Sequence, residues 1–161
     1  MNWVAQDVSD GLLSYTVNGV SVTKNVSRET IAGDDFSGTY TGGLHENTTG
    51  CSDTTRNVQS EQSAGIVVMQ IGTSITVQTV PASGATCSYS GAANEFGQMG
   101  EVDGNFSCMD GTAGSFTFFE MQVTPSGLTG RLQLTNSSPA GCSSTGWFGG
   151  SRSTITSFLS Q

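Results

Sequence analysis

The chain has 161 residues, 13 acidic against 5 basic side chains for a net charge of -8, 22 glycines and 3 prolines. That length fits one domain of ordinary size or one domain with a small extra module, and the acidic field repels phosphate backbones and anionic surfaces, which argues against nucleic acid as a partner. The longest apolar run, Ile66-Val67-Val68-Met69, is far short of the ~20 residues of a membrane-spanning helix, and the N-terminus has no charged and apolar export signal.

No stretch of ten residues repeats apolar positions at helical spacing, whereas period-two alternation recurs between Gly, Asn, Asp and Ser punctuation. The chain therefore reads as all-β. Its clearest local unit is a hairpin over residues 12–25, in which Asn18-Gly19 supplies the two left-handed positions of a type I′ turn. That turn sets Val17 opposite Val20, Tyr15 opposite Val22 and Leu13 opposite Lys24, so Leu13, Tyr15, Val17, Val20 and Val22 share one apolar face. Such a face must cover something, and a neighbouring subunit is one candidate.

Residues 29–35 read as a connector, with a division into a hairpin segment 1–30 and a second module 31–161. Strands are expected at 36–44, 63–71, 73–80, 85–91, 102–109, 114–124, 127–135, 144–151 and 153–159. Many short strands in succession, without helical crossovers, predict an antiparallel meander closing as a small barrel or stacking as a sandwich.

Cys51, Cys87, Cys108 and Cys142 are widely spread with no CxxC pair, the spacing of a disulfide framework rather than a zinc site. Cys87-Ser-Tyr89-Ser-Gly91 and Gly104-Asn-Phe106-Ser-Cys108 mirror each other about residues 94–98, which predicts Cys87 opposite Cys108 and Tyr89 opposite Phe106. Cys51 and Cys142 then form the second bridge. Sequons at Asn25, Asn47, Asn105 and Asn136 arise easily in a chain rich in Ser and Thr, so glycosylation is not inferred.

Two stretches carry a resemblance. They are Tyr15-Thr-Val-Asn-Gly-Val-Ser-Val-Thr-Lys24 with Arg28, and the run from Phe36-Ser-Gly-Thr-Tyr40 through Cys87, Cys108 and Met109-Asp-Gly-Thr-Ala-Gly-Ser-Phe116 to Gly141-Cys142-Ser-Ser-Thr-Gly-Trp-Phe-Gly-Gly-Ser-Arg152. Together they resemble the C-terminal region of a loosely defined group of exported proteobacterial β-rich proteins. The resemblance implies bacterial export and a β fold; it carries no catalytic residue across.

Candidate chemistry is sparse. The one histidine, His45, stands in an expected loop beside Glu46 and near Asp53, and no Gly-x-Ser-x-Gly elbow surrounds any serine. Glu95, Glu101, Asp103 and Glu120 are the carboxylates a hydrolase would need, but Glu120 reads better as an outward residue or an ion pair with Arg131. Asp34-Asp35, Asp53 and Asp103-Gly-Asn105 lack the spacing of a calcium loop, so neither metal nor cofactor is expected. Surface aromatics remain: Trp147 and Phe148, one of which must face outward on a strand, with Trp3, Tyr40 and Tyr89. The function expected is that of a secreted or cell-surface, non-enzymatic module that binds glycan or another protein subunit through these rings. The alternatives are an extracellular assembly subunit using the hairpin face, and a hydrolase.

Overall fold

The computed structural model describes residues 2–5, 10–27, 34–96, 99–138 and 140–153. Arg28, most of the connector, residues 97–98 and the expected strand 153–159 beyond Ser153 lie outside them; Ser153 itself is not in a strand. Two compact units are present, Met1–Ala32 and Gly33–Gln161.

The first unit is a three-stranded antiparallel sheet, β1 (Asn2–Ala5), β2 (Asp10–Val17) and β3 (Val20–Ser27), with β2 central. Asn18 and Gly19 adopt φ 51° and 79°, both in the left-handed region that a type I′ turn requires. The register follows from that turn: Val17 pairs with Val20, Tyr15 with Val22 and Leu13 with Lys24.

The second unit is a closed antiparallel barrel of eight strands: β4 (Gly38–Thr49), β5 (Gln59–Ile71), β6 (Ser74–Pro81), β7 (Cys87–Phe96), β8 (Met99–Cys108), β9 (Ala113–Thr124), β10 (Gly127–Ser138) and β11 (Ala140–Arg152). Each strand pairs with its neighbours in sequence, and β11 closes on β4, so no edge is left. Inward side chains form one core, with Phe36, Tyr40, Ile66, Val77, Val102, Phe118, Met121 and Leu132 almost wholly buried. Outward positions are mostly polar, for example Thr41, His45 and Asn47 on β4 and Glu101, Asp103 and Asn105 on β8. This is the reverse of the apolar-out wall of a bilayer-spanning barrel. Among the described residues no helix is long and apolar enough to cross a membrane.

Two local features shape the wall. At Gly42 and Gly146 an added Cβ would lie 1.9 Å from the Gly149 carbonyl oxygen and 1.8 Å from that of His45, so only glycine lets β4 and β11 approach this closely. At Glu120, with φ 52°, β9 shifts register against both β8 and β10. This bulge places Phe118 and Met121 inside while Phe119 faces outward.

The barrel's two ends differ. Phe36 plugs one end, and the Tyr40 hydroxyl donates to the Phe36 carbonyl at 2.8 Å while accepting from Arg152 Nη2 at 2.9 Å. Arg152 Nη1 also donates to the Ser37 carbonyl at 2.9 Å, clamping the start of β4 to the end of β11. At the other end, Cys51–Cys142 and Cys87–Cys108 are both bridged. The short 3-10 turn Thr54–Arg56 between β4 and β5 lies there too, its first turn capped by the Asp53 carboxylate accepting from Thr55 N.

Candidate functional site

Cross-strand register assembles a row of side chains on the barrel's outer wall. Phe119 on β9 pairs with Arg131 on β10, Arg131 with Trp147 on β11, Trp147 with His45 on β4, and His45 with Glu61 on β5. Trp147 stands at the centre with 54% of its surface exposed, far above what a ring seeking a core would keep. The His45 ring lies 4.7 Å from it, tilted by 48°. On the far side of the row the Arg131 guanidinium stacks 5.1 Å from the Phe119 ring and pairs with Glu120 at 3.5 Å. Both members of that pair are about half exposed, so it contributes little stability and mainly orients Arg131.

His45 is held from below. Gln59 Nε2 lies 2.8 Å from His45 Nε2, a contact whose direction follows the ring tautomer, and Glu61 Oε1 lies 3.6 Å from the same nitrogen. Its Nδ1 is buried without a partner. Two strand positions from the Trp147–His45 pair, Gly149 pairs with Gly43, leaving bare backbone beside the indole. Trp147 thus forms a ridge between two shallow grooves, one over Gly43 and Gly149, the other over Asn47, Gln59 and Thr145.

Several expectations change here. Tyr40, Tyr89 and Phe148, grouped with Trp147 as surface ligand-binding rings, are 0%, 4% and 5% exposed and belong to the core, because each occupies an inward position of its strand. Trp3 falls in β1, opposite Leu13. His45 is not in a loop: β4 runs on to Thr49, and its polar second half, Glu46-Asn47-Thr48, only resembles one. Of the carboxylates, Glu120 and Arg131 form the ion pair that the spacing suggested, and Asp103 accepts from the Thr117 hydroxyl at 2.6 Å. Among the described residues, no three His, Cys, Asp or Glu side chains cluster as metal ligands do.

A second feature lies inside the barrel, at the disulfide-tied end. A cavity of about 420 Å³ opens there, floored by Leu44, Tyr89, Phe106 and Leu134 and rimmed by Arg56, Asp110 and both bridges. Tyr89 and Phe106 stack with centroids 5.6 Å apart, as their pairing across β7 and β8 requires. Glu46 projects into this cavity, and desolvation pushes its carboxyl above the usual range. The Tyr89 phenol is pushed upward by its own burial and by the Glu46 charge. Asp110 is held below the ordinary carboxylate range, chiefly by the Thr112 backbone N–H and to a lesser degree by Arg56. The sequence contained a signal for this cavity: inward positions that turn polar, Glu46 and Thr48 on β4 and Ser60 and Gln62 on β5.

The assembly-face residues Leu13, Tyr15, Val17, Val20 and Val22 occupy one face of β2–β3, with Val17 52% and Val20 64% exposed at its tip. No protein-family model, curated protein or solved structure matches the chain.

Proposed function

We propose that the chain is a non-enzymatic, extracytoplasmic binding module that holds glycan on the outer wall of its barrel, at Trp147. The carrying observation is an indole 54% exposed on a rigid strand, flanked by a glycine floor and by groups that can both donate and accept hydrogen bonds. A sugar ring has an apolar C–H face and a rim of hydroxyls. The first suits a flat, amphipathic indole, and the second suits Gln59, Asn47, Glu61 and Arg131 around it. Around Trp147 the wall is largely polar, with the outward Phe119 ring overlaid by Arg131, and offers a protein partner less apolar area to bury. Two disulfides in a chain with 5 basic residues fit a compartment where thiols are oxidised.

The test is a glycan array probed with the wild-type domain and with Trp147→Ala. Retention on a defined subset, weakened at least about tenfold by the substitution without loss of fold, is the expected outcome. Binding that survives Trp147→Ala, or no retention on any glycan, removes the reading. Assembly through the N-terminal sheet is the competing proposal, favoured by the exposed Val17–Val20 tip. Light scattering separates the two: a concentration-dependent polymer that Val20→Lys disperses would favour assembly.

A further inference from the structure

The barrel's inward positions change character along its length. From the plugged end, β5 presents Val68, Ile66 and Ala64 and then Gln62 and Ser60; β10 presents Leu128, Leu132 and Leu134 and then Asn136; β11 presents Phe148 and then Ser144. A barrel of eight strands has an interior that side chains alone can fill, or that can hold one small molecule. Here the apolar filling stops partway and the wall continues, with hydroxyl and amide groups facing the space. The bridges Cys87–Cys108 and Cys51–Cys142 fix the wall where no core supports it.

Glu46 is the unmatched group in this mouth. It lies between Leu44 and Thr48 on β4, below the rim, and among the described residues no ion pair and no side-chain hydrogen bond reaches its carboxylate. Arg56, the cation at the rim, instead acts on Asp53 and Asp110. A partly desolvated carboxylate without a partner destabilises the fold, and a leucine or glutamine would fill the position at less cost. Its carboxylate opens into the cavity, within reach of whatever enters there. The floor beneath it, Tyr89 and Phe106, is aromatic, and a positive charge is attracted both to a carboxylate and to a ring face. The net charge of -8 draws cations toward the molecule. The volume, about 420 Å³, falls in the lower part of the range of small-molecule sites.

We propose that the mouth cavity binds a small primary ammonium compound with an aromatic or alkyl body, its ammonium paired with Glu46 and its body laid against Tyr89 and Phe106. This site is separate from Trp147, on the other side of the wall, and neither depends on the other.

Phenethylamine is the probe and phenethyl alcohol its neutral counterpart, each titrated by calorimetry and by amide chemical shifts into the wild-type domain and Glu46→Gln. At neutral pH the amine should bind in preference to the alcohol and shift the amides of Glu46, Ser60, Thr79 and Tyr89. Glu46→Gln should weaken the amine by about tenfold to a hundredfold and leave the alcohol unchanged. Equal binding of amine and alcohol, wild-type affinity in Glu46→Gln, shifts confined to residues outside the mouth, or no binding would each overturn the proposal. Should Glu46→Gln fail to fold, the wild-type domain still decides. The preference for amine over alcohol must fall as pH is lowered and the Glu46 carboxylate takes up its proton, and an unchanged preference overturns the site. The other titratable groups facing the cavity do not blur this readout: burial pushes the Tyr89 phenol upward, and the Thr112 backbone N–H holds Asp110 low.

Discussion

Phe148 and Trp147 are consecutive in the chain and meet opposite surroundings, which makes them a matched pair for mutation. Phe148 is 5% exposed and touches the Phe118 ring at 4.8 Å, so Phe148→Ala should cost about 3 to 5 kcal/mol by denaturant unfolding. Trp147→Ala should stay within about 1 kcal/mol. Alternation along β11 made one inward and one outward ring readable from sequence. The burial of Tyr40 was not, because its hydroxyl is satisfied partly by Arg152, 112 positions away. Glu46 carries the pH dependence. Its folded-state carboxyl titrates above the ordinary value of about 4.3, so the folded protein binds more protons than the unfolded chain between that value and the raised one. Stability from this group is complete below the ordinary value and is lost as pH rises through the raised one. Asp35, Asp53 and Asp110 are held low by hydrogen bonds from Ser37, Thr55 and Thr112, and act with the opposite sign, losing their contribution as pH falls below the ordinary range. Melting curves across pH should therefore show Glu46→Gln gaining on the wild type as pH rises above about 4.3, and a constant difference would refute the assignment.

Among the strands, turn chemistry is local, and what it dictates could be read directly. Asn18-Gly19 set the β2–β3 register, and the mirrored cysteine segments set β7 against β8, with Cys87 opposite Cys108 and Tyr89 opposite Phe106. The ends of β4 and β5 could not be read, because wall residues that line a polar cavity are polar on both faces and look like connection. The Glu120 bulge was equally hidden, since a left-handed glutamate leaves no mark in the apolar pattern. The two bridges should differ in weight. Cys51–Cys142 closes a separation of 91 residues and Cys87–Cys108 one of 21, for which chain entropy gives about 4.6 and about 3.3 kcal/mol. Paired Cys→Ser variants, unfolded in urea, should rank in that order.

Over the whole barrel, the closing contact of β11 on β4 joins segments about a hundred residues apart, and no local pattern announces it, so the sequence does not distinguish a barrel from a sandwich. The glycines at 42 and 146 are its imprint: each is required only because the two backbones meet. Closure has a further consequence for how the molecule is held. With eight strands running alternately up and down, the chain must enter and leave the barrel at one end, and Arg152 ties Ser37 and Tyr40 together there. That end is the one stoppered by Phe36. The chain therefore crosses into and out of this barrel at its stoppered end, and the open cup lies at the opposite end, clear of both crossings.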